Sequence, residues 1–241
     1  MIPFLHNRFL ITIILFILGI LSSFSLPPYN FFFINLFTIP FFFYFFFKNF
    51  NENLLNNFLI GWVYGFGYFL SNLYWISNSL KFDENFDNLI IFSTIIIPFF
   101  LSIFYGLFSI LLKFFNIKMN LSSILIFSLI ISIFEYLRGI IFGGFPWNLI
   151  SFSLIEFTNI LQLLSLIGTY SFNLLTITFY CLPIIIFFNI SNFIKFSIIF
   201  TSTLFLFVIS YYGENRIKKI EQSDKKTFSP AIKLVSTRFN I

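Results

Sequence analysis

Long apolar runs separated by short polar breaks dominate the chain. They cover residues 9–26, 31–47, 58–80, 89–115, 121–142, 160–188 and 193–212. Each reaches or approaches the roughly 20 residues that a helix needs to cross a hydrocarbon core about 30 Å thick. The runs are continuous and lack the alternation of a membrane-barrel strand. This pattern predicts an α-helical integral membrane bundle of about seven transmembrane helices over residues 1–212. No small-residue cleavage site follows the first run, so it reads as a retained helix and not a signal peptide. Leu26-Pro27-Pro28-Tyr29-Asn30 predicts a tight turn, because consecutive prolines cannot continue a helix. Pro40 predicts a kink in the second run and Pro98 an interruption of the fourth. Gly61 and Gly65 in the third run form a small-xxx-small face for close helix packing. Ser122 and Ser123, after Asn120, are capping candidates for the fifth.

Charge sets an orientation. With a cytoplasmic N-terminus, the cytoplasmic segments carry Arg8, Lys48, Lys113, Lys118 and Lys195, whereas the short opposite loops carry only Lys81, beside Asp83, Glu84 and Asp87. That is a positive-inside pattern, and it places everything after Tyr212 outside the cytoplasm. Residues 213–241 change character: seven Lys and Arg, from Arg216 to Arg238, face only Glu214, Glu221 and Asp224. After Pro230, residues 231–241 read as a short strand. A lone strand leaves its edges unpaired, so the chain is expected to stop at the start of a second domain, as a truncated form.

Composition removes several function classes. With 59% hydrophobic and 10% charged residues and a mean hydropathy of +0.95, the chain is no soluble globular domain, for which about 25% charged is usual. No basic face interleaves with accessible aromatics, which argues against nucleic-acid binding. The single Cys181 provides neither a disulfide framework nor a cysteine metal site. No metal or cofactor is expected. His6 is an isolated residue, and Cys181 reads as a packing residue.

One stretch resists the bias. The chain holds 44 Phe and a single alanine, Ala231, yet residues 135–147 contain one of its four Arg, three of its ten Gly and one of its three Trp. Glu135 and Arg138 share a helix face at i, i+3 and can pair. They lie about 20 Å along a helix rising outward from residue 121, in the outer-leaflet half. An ionisable residue costs about 2.5–3.5 kcal/mol at the bilayer centre and less near the interface. Two readings stand: an ion bridge that locks the bundle, or a polar site for lipid head groups or an outer domain. Phe145-Pro146-Trp147 and Tyr74-Trp75 are either aromatic-belt anchors or the rim of one outward-opening cavity. No nucleophile is paired with a base anywhere in the chain.

Glu135-Tyr-Leu-Arg-Gly139 followed by Gly144-Phe-Pro-Trp147 resembles the Glu-Trp-Leu-Arg-Gly … Gly-Phe-Pro-Trp signature of bacterial apolipoprotein N-acyltransferases. Residues 65–69 leading to Tyr74-Trp75-Ile76, and residues 163–174 with Gly168-Thr-Tyr170, are similar to segments on either side of that signature. Tyr136 stands where the family has tryptophan, and Val235-Ser-Thr-Arg-Phe-Asn240 departs from its Val-Gln-Pro-Asn strand. The resemblance implies eight membrane helices with a nitrilase-like α/β domain inserted before the last, of which residues 213–241 would be the linker and first strand. It implies transfer of an acyl chain from a phospholipid donor to the amino group of a diacylglyceryl-cysteine apolipoprotein acceptor. The steps are ping-pong, through a cysteine thioester, which divides one difficult transfer into two easier ones. The supporting glutamate and lysine and the cysteine itself would lie beyond Ile241, so no catalytic residue is assigned in this chain. Glu135, Arg138, Phe145, Trp147, Tyr74 and Trp75 are then its lipid-facing candidates, in a bacterial inner membrane. Two other classes remain open: a non-catalytic scaffold or lipid-binding module, and a small transporter, for which midplane charges and matching halves would be expected.

Overall fold

The computed structural model describes residues 8–49, 53–82, 87–115, 117–141 and 144–224. Every regular element among them is helical: α1 (Arg8–Ser23), α2 (Asn35–Asn49), α3 (Leu54–Leu73), α4 (Asp87–Lys113), α5 (Leu121–Ile140), α6 (Thr158–Leu161), α7 (Leu164–Ile167), α8 (Thr169–Cys181) and α9 (Asn192–Asp224), with 3-10 turns between them. This is a helical membrane bundle. Apolar side chains alone leave every backbone group to be satisfied within each segment, which helices do.

Among the described residues, four helices are long and apolar enough to cross a membrane: Leu89–Lys113, Leu121–Ile140, Thr169–Phe187 and Asn192–Gln222. The expected count of about seven is therefore not reached by length and hydropathy. The first two apolar runs make shorter helices, Arg8–Ser23 and Phe32–Lys48. α3 has 20 residues but is diluted by three Asn, three Gly and two Tyr. It ends at Leu73, and Tyr74–Phe82 winds into 3-10 turns instead of extending the helix to residue 80. The sixth run is broken where Gly168 takes φ +77, so the spanning segment begins at Thr169. α9 continues through Asp224, twelve residues past the end predicted at Tyr212. The strand expected over 231–241 lies outside the described residues.

Helix α3 is the centre of the bundle, and glycines let its neighbours approach. A Cβ at Gly61 would sit 2.1 Å from the Tyr105 carbonyl oxygen, and one at Gly65 2.8 Å from Tyr105 Cβ, both on α4. On the opposite side, a Cβ at Gly19 of α1 would meet the Tyr64 carbonyl at 2.1 Å, and one at Gly67 the Phe16 carbonyl at 2.3 Å. Where no hydrophobic force drives helices together, such close backbone packing supplies the association energy. Aromatic side chains fill the remaining core. Phe42 stacks on Tyr64 at 3.9 Å, and Phe108 meets Phe127 edge-on at 5.3 Å.

Prolines do not interrupt α2 or α4, which run through Pro40 and Pro98. The Trp62 indole N–H donates to the Phe99 carbonyl (3.2 Å), beside Pro98. Asn120 caps α5 by accepting from Ser123 N at 2.9 Å; the Ser123 hydroxyl serves instead as acceptor for Lys118 N.

A buried polar knot sets the α1–α2 turn. Asn35 donates to Ser25 Oγ (2.8 Å) and accepts from Ser22 Oγ (2.7 Å) and Thr38 Oγ1 (3.1 Å). An unpaired amide in this setting would cost several kcal/mol. The turn, Tyr74–Phe82 and residues 144–160 gather at one end of the bundle, as the Asn30–Glu156 hydrogen bond (2.7 Å) attests. The Lys48 end of α2 and the Leu182–Phe187 segment meet at the other, where Tyr44 packs on Phe187.

Candidate functional site

The predicted stretch bends around one buried ion pair. Glu135 and Arg138 are each 1% exposed. The Arg138 Nε donates to Glu135 Oε2 at 3.1 Å, with Nη2 on the same oxygen. The other carboxylate oxygen accepts from the Tyr105 hydroxyl at 2.7 Å. Arg138 Nη1 then reaches out of the helix to the carbonyls of Phe145 (2.6 Å) and Trp147 (2.8 Å). A planar guanidinium suits this task because its five N–H donors form a fixed fork. Its faces are used as well, with Phe69 at 5.2 Å and Phe145 at 5.9 Å from Cζ.

The loop is drawn back over the end of α5. Phe145 N donates to the Arg138 carbonyl at 2.9 Å. Gly144 permits this with φ +81, where a Cβ would stand 2.4 Å from the Gly139 carbonyl. Tyr68 of α3 fixes the far side by donating to the Asn148 carbonyl at 2.9 Å. The result presents the Trp147 indole, 51% exposed, stacked at a 28° incline on Trp75 with ring centroids 5.8 Å apart. Phe145 tilts against Trp147 at 5.3 Å.

Beneath that aromatic pair lies a cavity of about 910 Å³. Its mouth is made by Trp75, Phe145 and Trp147, its far wall by Ile97, Phe100 and Phe104 of α4, and Arg138 touches it from the side. The lining is overwhelmingly apolar, with a little polar edge from Asn78 and Ser79. Such a space takes an extended hydrocarbon group and offers almost nothing to a polar solute.

Of the residues singled out by sequence, Arg138, Phe145, Trp147 and Trp75 meet at this cavity. Glu135 stands behind it and holds Arg138. Tyr74 does not line it: it faces a separate cleft of about 40 Å³ with Ser23, Pro27 and Pro28. Gly61 and Gly65 lie on the α3–α4 contact. Among the described residues no group of three or more His, Cys, Asp or Glu could hold a metal. Cys181 is fully buried, without access to a substrate.

The sequence alone did not point to Tyr105, Tyr68, Phe69 or the α4 wall. Tyrosines inside runs otherwise rich in phenylalanine were the available signal, since a hydroxyl buried in apolar surroundings needs a partner. The polar residues of the sixth run also acquire a role: Asn173 Oδ1 accepts from Ser151 N (2.9 Å), and Tyr180 meets Ser153 (2.8 Å). They pin the connecting turn Ile150–Leu154 to α8.

A family model described as the apolipoprotein N-acyltransferase N-terminal domain matches residues 18–182. Curated proteins named apolipoprotein N-acyltransferase are similar to the chain. The one from Rickettsia typhi is 35% identical over 209 residues, covering 85% of this chain and 40% of the relative. That from Brucella melitensis biotype 1 is 33% identical over 125 residues (52% and 23%), and that from Rhizobium rhizogenes 27% over 174 residues (68% and 32%). The chain spans two fifths or less of the length of these relatives. With its apolar spans and the match over residues 18–182, this membrane protein belongs to the apolipoprotein N-acyltransferase family, through that family's N-terminal domain.

Proposed function

We propose that this chain is the membrane part of an enzyme that moves an acyl chain from a phospholipid to the N-terminal amine of a diacylglyceryl-cysteine lipoprotein, by way of a cysteine thioester. The cavity of about 910 Å³ under Trp75 and Trp147 carries the proposal. It receives the acyl chain of the lipid donor, with the glycerol ester held near the aromatic mouth. Arg138 serves mainly as a clamp. Four donor contacts go to Glu135 and to two loop carbonyls, so it shapes the mouth through Phe145 and Trp147 more than it binds a head group. The lone Cys181 is buried in α8, so these residues hold substrate while the nucleophile lies elsewhere in the enzyme.

The orientation follows the charge pattern. The N-terminus and the Lys48, Lys118 and Lys195 end face the cytoplasm, and the Trp75–Trp147 end faces the periplasm across a bacterial inner membrane. Residues 213–241 form the connection to a periplasmic nitrilase-like domain.

A chimera tests the enzyme reading. This chain replaces the matched part of the Rickettsia typhi relative in a bacterium depleted of its own apolipoprotein N-acyltransferase. Lipoproteins that become N-acylated, as read by mass spectrometry of their N-terminal peptides, support the proposal. A well-expressed, correctly inserted chimera that leaves them diacylated refutes it. For the cavity, a phosphatidylethanolamine with a diazirine in its acyl chain is expected to label residues 96–104 and 144–147. Labelling confined to outward-facing positions such as Phe196 and Phe200 would place the donor elsewhere.

A further inference from the structure

The longest helix leaves a gap that the acyl-donor site does not use. α9 is fastened at two places. At its outer end Gly213 rests on α6, where a Cβ would lie 1.9 Å from the Asn159 carbonyl, and Arg216 Nη1 donates to the Gln162 carbonyl at 3.2 Å. At its inner end Lys195 Nζ donates to the Ile186 carbonyl at 2.9 Å. Between these fastenings α9 stands off α8 and encloses a crevice of about 330 Å³. Ser202, Phe205, Leu206 and Ile209 face Phe172 and Phe179 across it.

Positions 202, 206, 209, 213 and 216 recur at helical spacing, so Arg216 crowns the stripe that lines the crevice. From residue 202 to residue 216 is about 21 Å along the axis, enough to traverse one leaflet of a core about 30 Å thick. Gln162, which Arg216 touches, adjoins Leu163 of the crevice wall. A backbone carbonyl takes one N–H of Arg216 without neutralising its charge. Lys219, one turn further, is exposed on the same end. Lys218 is engaged by Glu214, so Arg216 and Lys219 are the cations left nearest the apolar slot.

We propose that a phospholipid occupies this crevice, with one acyl chain between α8 and α9 and its phosphodiester against Arg216 and Lys219. An apolar slot one leaflet deep with cations at its interfacial end matches that amphiphile and neither a free anion nor a neutral hydrocarbon. The lipid here completes the packing of α9 and is separate from the one under Trp147.

The test uses the 241-residue chain, delipidated in detergent and titrated with phosphatidylglycerol, with adducts counted by native mass spectrometry. Leu206→Trp, which fills the slot, is expected to lower the number of tight adducts by one. Arg216→Gln is expected to weaken that adduct about tenfold or more, since it removes a charge-assisted contact. Leu204→Trp, on the exposed face, leaves both unchanged and controls for folding, as does an unaltered helical circular-dichroism spectrum. Several results overturn the proposal. They are an adduct count indifferent to Leu206→Trp, monoolein binding as tightly as phosphatidylglycerol, and inorganic phosphate alone displacing the lipid. A two-chain species abolished by Leu206→Trp would assign the slot to a second copy and overturn it too.

Discussion

Replacing Arg138 with methionine deletes the contact on which the Phe145–Trp147 loop depends. The substitution leaves Glu135 charged, 1% exposed and supported only by Tyr105. Two loop carbonyls lose their donor at the same time. Breaking one side of a buried ion pair costs about 3–5 kcal/mol because the surviving charge is left uncompensated. At about 2–4 °C per kcal/mol for a chain of this size, the melting temperature should fall by roughly 6–20 °C. Glu135→Gln combined with Arg138→Met removes both charges. It should recover a large part of that loss, with a coupling energy of about 0.5–3 kcal/mol. The assay is thermal size-exclusion in detergent on the single and double variants, alongside hydrogen exchange on residues 144–148. The loop should exchange faster in every variant lacking Arg138, including the double variant whose stability has returned. A single variant melting within about 2 °C of wild type, or a double variant at the plain sum of the singles, would refute the clamp.

Other perturbations probe different parts of the molecule. Gly61→Val forces side-chain atoms into the Tyr105 carbonyl and Ser109 and should destabilise the bundle by at least the roughly 1–3 kcal/mol of an overpacked core. Gly168→Ala meets open space, but at φ +77, ψ 169 it places Cβ in a region that is nearly glycine's alone and should cost about 1–3 kcal/mol through backbone strain, read in the same melting assay. Tyr68→Phe removes one hydrogen bond to Asn148 and should cost about 0.5–1.5 kcal/mol, with faster exchange confined to 145–149. For topology, single cysteines placed at Ser79 and Ser191 in a Cys181→Ser background should react with an impermeant maleimide from opposite sides, Ser79 from the periplasm. Labelling of Ser191 in intact spheroplasts would invert the proposed orientation.

The helical bundle was legible because continuous apolar runs admit few alternatives, and the family resemblance rested on residues 135–147. The boundaries were less legible. Hydropathy carried the third run to residue 80 and the sixth back to residue 160, because it cannot register the 3-10 turns after Leu73 or the positive φ at Gly168. Pro98 was overread as an interruption: α4 runs through it as one helix, because a helix within a membrane protein tolerates an internal proline. The ion pair followed from i, i+3 spacing alone. Its partners did not, since Tyr105 comes from another helix and the Phe145 and Trp147 carbonyls belong to the backbone, which carries no sequence signal. Tyr74 was grouped with Trp75 by adjacency. Neighbours in a 3-10 turn point about 120° apart: Trp75 reaches the large cavity as well as the small cleft, whereas Tyr74 lines only the cleft.

The stacked indoles at the cavity mouth also give the protein a built-in optical reporter. Only three tryptophans occur in the chain; Trp62 is stacked at 5.2 Å on Phe66 against α4, while Trp75 and Trp147 lie about half-exposed around one opening. Two indoles 5.8 Å apart and inclined by 28° are within range of excitonic coupling, so near-ultraviolet dichroism carries a signature of the pair itself. Anything that parts them, whether an entering acyl chain or a slackened loop, alters that signal and the emission together. The state of the mouth can therefore be followed in real time without a label attached to the protein or to the lipid.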